Sequence, residues 1–205
     1  MTGPVVIKLG GSMALAPALR TWLGVIAAAH APVVVVAGGG PFADAVRAAQ
    51  PVIGFGDRAA HRMAILAMAQ LAEAMASLDD RLVLAASERA IAAALEKRQP
   101  VLWDPIPLAL DPAIPHSWDV TSDSLAAWLA QRLGAAHLIL VKPVGRQLPP
   151  LSGAMLAERG IVDRAFPAMA RAIAAAWLAD RDALPALSAV VAGADPHATS
   201  LSRIG

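Results

Sequence analysis

PVVIKLGGS at residues 4–12 and PVVVVAGGG at residues 32–40 decide how this chain is read. Each is a run of aliphatic, mostly β-branched residues, and each ends on glycines. A strand apolar on both sides must be covered on both faces, which is the condition of a parallel sheet packed between helices. Alanine-rich segments suited to helix follow both runs, from about Ala14 to His30 and from about Phe42 to Ala49. The fold class expected is α/β, a three-layer αβα sandwich with a mostly parallel central sheet. In such a sheet ligands gather at the carboxyl ends of the strands, where both glycine clusters fall.

Farther along, Gly54-Phe55-Gly56-Asp57 predicts a loop with Asp57 as N-cap of a helix over about 58–77. A strand is expected at Arg81 to Ala85, a helix at Ala86 to Lys97 and a short strand at Val101 to Trp103. Pro100, Pro105, Pro107, Pro112 and Pro115 make the path between 100 and 115 irregular. Thr121 or Ser122 caps a helix to about Leu133, ended by Gly134, and His137 to Lys142 reads as another buried strand. The remainder is expected as a long loop from Pro143 to Gly160, a helix from Pro167 to Ala179 and a strand at Ala189 to Val191. With 205 residues, no faithful repeat and no low-complexity linker, a single domain over 1–205 is expected.

Composition narrows the chemistry. The chain is 57% hydrophobic with a mean hydropathy of +0.56, yet charges, prolines or turns interrupt every apolar run before about 20 residues. Lys8 and the glycines after it make residues 1–20 a poor secretory signal, so a cytoplasmic location is expected, with no membrane partner. The net charge of +1, without a long basic block, argues against a nucleic-acid partner. Zero cysteine removes disulfides, thiolate nucleophiles and cysteine-held metals.

Lys8 stands in an apolar strand, where its ammonium either meets an anion or snorkels to solvent from a sheet edge. Backbone N–H groups of Gly10-Gly11-Ser12 beside it suit phosphate oxygens. Gly38-Gly39-Gly40 would let a ligand approach the backbone or simply make a tight turn. Neither cluster has the spacing of a P-loop or a dinucleotide fingerprint. Asp119 and Asp123 lie four residues apart near a helix start, with Lys142 closing the next strand. If that helix and strand return to one sheet edge, Asp123 can hold Lys142 and Lys8 in place; otherwise it is a first-turn acid favoured by the helix dipole. His61 and Arg47 are candidate anion contacts; His30, His116 and His137 show no metal-site spacing, and the tryptophans read as packing residues.

IKLGGS at 7–12, VVVAGGGPFAD at 34–44 and VTSDSLAAWLAQRLGAAHLILVK at 120–142, in that order, resemble the amino acid kinase superfamily. Within it, GGGPFAD, GDRAAHRMAILAM and HSWDVTSDS look most like the small aminomethylfuran phosphate kinases of methanofuran-type cofactor biosynthesis. The resemblance implies an ATP-dependent phosphotransferase, with Mg2+ held mainly by ATP, no protein metal site, a small phosphorylated acceptor and room for a homo-oligomer. It implies Lys8, Asp123 and Lys142 as catalytic residues. Gly10, Gly11, Ser12 and Lys142 would contact ATP phosphates, and Gly38, Gly39, Gly40, Arg47 and His61 the acceptor. Other acceptors, a different small phosphate or a carboxylate, and a non-catalytic nucleotide-binding role are the alternatives.

Two departures from the family pattern stand out. Relatives carry a second phosphate-binding lysine after an ITDGM-like segment; here GIVDRAF at 160–166 is followed by Ala168, so Lys142 or Arg164 must supply that charge, unless the site follows the uridylate-kinase-like arrangement without that lysine. Some relatives also carry a histidine just after the triple glycine, where this chain has Ala43-Asp44, and His61 is the expected replacement.

Overall fold

The computed structural model describes residues 3–145 and 151–205. Its centre is one seven-stranded sheet built from β1 (Val5–Leu9), β2 (Val33–Ala37), β3 (Val83–Ala85), β4 (Val101–Trp103), β5 (His137–Lys142), β6 (Ala176–Asp180) and β7 (Ser202–Ile204). The order is β3-β4-β2-β1-β5-β6-β7, parallel throughout except for β7, which runs antiparallel to β6. From β1 the chain builds outward through β2 to one edge, then returns to lay β5 on the other side of β1. The order therefore reverses between β1 and β5, the place where a doubly wound sheet opens a crevice beyond its carboxyl ends.

The helices are α1 (Leu19–Ala27), α2 (Gly40–Ile53), α3 (Asp57–Ala76), α4 (Glu88–Glu96), α5 (Ile106–Ala109), α6 (Ser122–Arg132), α7 (Gly153–Glu158), α8 (Phe166–Met169) and α9 (Leu184–Val191). Every residue of β1 and β2 is buried. Their alternate residues feed different cores, as the two-residue period requires. Val5, Ile7 and Leu9 pack with Trp22 of α1 and Leu187 of α9, whereas Val6 packs with Leu125 and Leu129 of α6. This is the three-layer sandwich expected from the apolar runs.

The carboxyl-terminal quarter differs from the sequence expectation. The segment expected as a helix from Pro167 to Ala179 forms the single turn of α8 and then β6, and the expected strand at 189–191 lies inside α9. Alanine favours helix intrinsically, but Ala176–Asp180 gains cover by pairing with β5 from Leu138↔Ala176 to Lys142↔Asp180. Continuous apolar runs of this length do not distinguish strand from buried helix.

Other boundaries shift. The first helix is shorter, α1 being preceded by a 3-10 turn at Gly11–Met13, and α2 runs to Ile53 through Pro51. Gly56 occupies the N-cap of α3, so Asp57 is its first-turn acid. The proline-rich path contains α5, and the expected loop 143–160 contains α7; its residues 146–150 lie outside those described. Among the described residues no helix is long and apolar enough to cross a membrane.

Candidate active site

Register fixes the ionic centre. Lys8 pairs with Leu140 across the parallel β1–β5 ladder, so Lys142, two residues on, projects from the same face one step beyond. That face is covered by α6, whose first turn lies at the carboxyl ends of the strands. Asp123 there reaches both lysines: its Oδ1 is 2.8 Å from Lys8 Nζ, and its Oδ2 accepts a hydrogen bond from Lys142 Nζ at 2.5 Å. Lys8 is 3% exposed in the central strand, which removes the reading of an edge lysine snorkelling to solvent. The meeting point is the middle of the sheet, not an edge.

Burial by itself would raise the Asp123 carboxyl, but the charges of Lys8 and Lys142 outweigh it, and the group titrates below the ordinary carboxylate range. It is a bridging carboxylate, its Oδ2 hydrogen-bonded to Lys142 and its Oδ1 in an ion pair with Lys8 without hydrogen-bond alignment, and its lowered pKa makes it a poor proton acceptor. Burial, reinforced by the charge of Lys8 and opposed by Asp123, pushes Lys142 down to about 8. Between that value and the ordinary 10.5 the unfolded chain binds more protons than the folded one, so this lysine makes stability rise with pH across that window.

The two glycine loops touch each other. A Cβ on Gly38 would lie 2.5 Å from Gly11 N, and one on Gly11 would lie 2.7 Å from Gly40 N. Here the absent side chains let the β1 and β2 loops pack backbone against backbone. Gly40 also holds φ +52, the left-handed region that glycine tolerates.

A cavity of about 360 Å3 opens beside these loops. Gly11, Ser12, Gly39 and Gly40 form one wall and Ser122, next to Asp123, another; Gly10 and Gly38 are not among its lining residues. His61 and Arg47 both face the cavity. His61 is 5% exposed, and its Nε2 is buried without a hydrogen-bond partner. Burial and the neighbouring His116, opposed by the Ala109 backbone, lower its pKa, so the ring is neutral at pH 7. Arg47 is half-exposed, pairs with Asp44 at 3.0 Å and lies 4.4 Å over the ring of Trp118.

The sequence profile of the amino acid kinase family matches residues 3–145. The chain belongs to the amino acid kinase family. A (5-(aminomethyl)furan-3-yl)methyl phosphate kinase of Methanocaldococcus jannaschii is 26% identical over 147 residues, 68% of this chain; the match spans 65% of that relative's length. Uridylate kinase from Archaeoglobus fulgidus superposes with a TM-score of 0.73 at 17% identity, over 98% of this chain and 100% of that one. UMP kinase from Ureaplasma parvum gives 0.71 at 15%, over 100% and 97%. At such identities the two structures share the fold with this chain.

Of the site residues singled out in this amino acid kinase family member, Lys8, Asp123 and Lys142 converge, and Gly11, Ser12, Gly39, Gly40, Arg47 and His61 share the adjoining cavity. Arg164 does not join them: its side chain is 84% exposed and lies 3.8 Å from Asp119, which leaves the partly buried Lys142 as the second ammonium beside Asp123. Sequence reasoning missed three residues. Trp118, read as packing, lines the cavity and donates its indole N–H to Gln50 Oε1 at 2.6 Å. His116 sits with its ring centroid 5.0 Å from that of His61. Asp163 accepts hydrogen bonds at the start of α6. Among the described residues no group of three His, Asp or Glu side chains could hold a metal ion.

Proposed function

We propose that this kinase transfers the γ-phosphoryl group of ATP to a small phosphomonoester, giving a diphosphate. The observation that carries the reading is Asp123 with both oxygens on ammonium groups. An acceptor phosphate already presents a deprotonated oxygen near pH 7 and asks the protein for no base at the moving group. Its oxygen forms the new bond to the γ-phosphorus while the bond to ADP breaks, and the electron pair leaves on the ADP β-phosphate oxygen. Lys8 and Lys142 are assigned to the charge on the transferring group, the glycine loops to positioning and Mg2+ to the nucleotide. Arg47 and His61 are assigned to the acceptor phosphate.

The printed name of the curated relative, a phosphate kinase, supports a phosphorylated acceptor, and the fold shared with UMP kinases brings a nucleoside monophosphate into the same class. The test measures ADP release and product mass with the aminomethylfuran methyl phosphate, with UMP and with their dephosphorylated counterparts. Turnover confined to phosphorylated acceptors supports the reading, and the preferred one names the substrate. Equal use of the dephosphorylated compounds overturns it.

Two expected results follow from the site. His61→Ala should raise KM for the acceptor about tenfold, the scale of one lost hydrogen bond to a charged group, and leave KM for ATP within about twofold. The Ala109 carbonyl engages the N–H of the other ring nitrogen, so Nε2 must gain a proton to donate to a phosphate, and the acceptor KM should rise with pH between 6.5 and 8. A collapse of kcat without a change in KM would instead make Nε2 a base toward a hydroxyl acceptor. The turnover of the wild type should fall as pH rises through about 8, where Lys142 loses its charge. Lys142→Arg, whose guanidinium stays protonated, should abolish that fall; a fall unchanged in this variant would remove Lys142 from the alkaline limb.

A further inference from the structure

We propose that Asp163 is a positioning residue for the reacting centre: its carboxylate pins the first turn of α6, so that Asp123 meets both lysines, and places a negative charge beside Lys142. The inference rests on the reading of Lys8, Asp123 and Lys142 as the phosphoryl-transfer centre.

The cap of α6 is unusual in its source. Thr121 occupies the N-cap, but its side chain accepts nothing from the first turn. Thr121 instead donates both its backbone N–H and its hydroxyl to Asp163 Oδ2, each at 2.8 Å. Ser124 donates its N–H to Oδ2 at 3.0 Å and its hydroxyl to Oδ1. Oδ1 also accepts from Phe166 N–H at 2.9 Å, fixing the carboxylate to the start of α8. A side chain about 40 residues downstream thus does the work that an N-cap side chain does locally, and does it from both ends of the segment carrying Asp123. The donors bracket Asp123 in sequence, so the carboxylate fixes the residues on either side of it.

Asp163 also acts on Lys142 through its charge. Three charged groups act on that ammonium, Lys8 from β1, Asp123 from α6 and Asp163 from the segment before α8, and Asp180 is its register partner on β6. Asp123 is shared with Lys8, and Asp180 is engaged by the backbone N–H groups of Val144 and Asp182. Asp163 is therefore a separate negative charge that favours the protonated lysine.

The test measures kcat against pH for Asp163→Asn, for Ser124→Ala and for the pair Asp163→Asn with Lys142→Arg, each with its melting temperature. Asp163→Asn should lower kcat at pH 7 about tenfold, leave both KM values within about threefold and move the alkaline fall to lower pH. Ser124→Ala keeps the charge of Asp163 but loosens the clamp; it should lower kcat a few-fold without moving the fall. In the pair the shift should vanish, since arginine does not titrate there. An alkaline fall unmoved in Asp163→Asn overturns the proposal. If that variant does not fold, Ser124→Ala decides: unchanged kcat with a lowered melting temperature overturns it, and a lowered kcat supports it. The underlying reading fails separately, by Lys142→Arg or Asp123→Asn leaving turnover and its pH profile at wild-type values.

Discussion

Asp123→Asn should lower kcat by roughly two to three orders of magnitude and remove about 3–5 kcal/mol of stability. The side chain keeps its volume, so packing is not the cause. What disappears is the single negative charge between two ammonium groups held at 2.8 and 2.5 Å. Without it Lys8 and Lys142 repel each other in a buried place. Lys142, already pushed down to about 8, then sheds its proton at neutral pH, so the variant loses a cation along with the anion. For a chain of this size the stability loss corresponds to a fall in melting temperature of roughly 10 °C. ATP, which brings negative charge to the same lysines, should bind the variant no more weakly than the wild type. Turnover at the wild-type level with a large loss of ATP affinity would show that Asp123 serves binding and not the transfer step. The wild-type carboxyl contributes its stability above the ordinary carboxylate range, and that contribution is lost as pH falls through its lowered folded value.

Lys8→Met should cost about a hundredfold or more in kcat, the scale of removing one preorganised electrostatic contact from the moving phosphoryl group. Methionine keeps most of the aliphatic stem, so the loss reports the charge. Asp123 stays paired with Lys142, but its second oxygen is left unpaired, which costs about 1–3 kcal/mol of stability. Lys8→Ala should lose the same turnover and more stability, because a truncated side chain in the central strand also leaves a void. From the sequence, the charge of Lys8 is expected to meet phosphate oxygens and not the core, and its removal to leave the fold largely intact. The ion pair with Asp123 and the burial of the stem revise that. Measuring turnover and thermal unfolding for both variants separates charge from packing, and wild-type turnover in the methionine variant would reject Lys8 as a contact of the transferring group.

Much of this was legible before any coordinates. The runs at 5–9 and 33–37 have no polar period, and with helical segments after each of them a covered parallel sheet buries both of their faces. Lys8 was conspicuous because a charge in that setting needs an anion, and Asp123 because an acid in a first helical turn lay within one βαβ step of a second lysine. The carboxyl-terminal elements were not legible for an equally physical reason. PAMARAIAAAWLAD carries helix propensity through its alanines, and ALPALSAVV is apolar whichever way it folds. The competition was settled by the open edge of β5, which gave residues 176–180 a partner and sent residues 184–191 to cover the sheet.

The sequence by itself determined the sheet class, because that follows from local pattern, and it marked Lys8, Asp123 and Lys142 as charges to be placed, because an uncompensated buried ion is costly, without deciding whether they meet. Only the tertiary structure decided which atoms meet. The β1–β5 register puts Lys142 diagonally beyond Lys8 and under the first turn of α6, and a one-residue slip would turn it to the opposite face. Gly38, which serves loop packing alone, could not be told from Gly11, Gly39 and Gly40, which line the cavity, because close approach is a property of two loops together. Trp118, His116 and Asp163 act through partners far away in the chain, at separations where sequence spacing carries no information about distance.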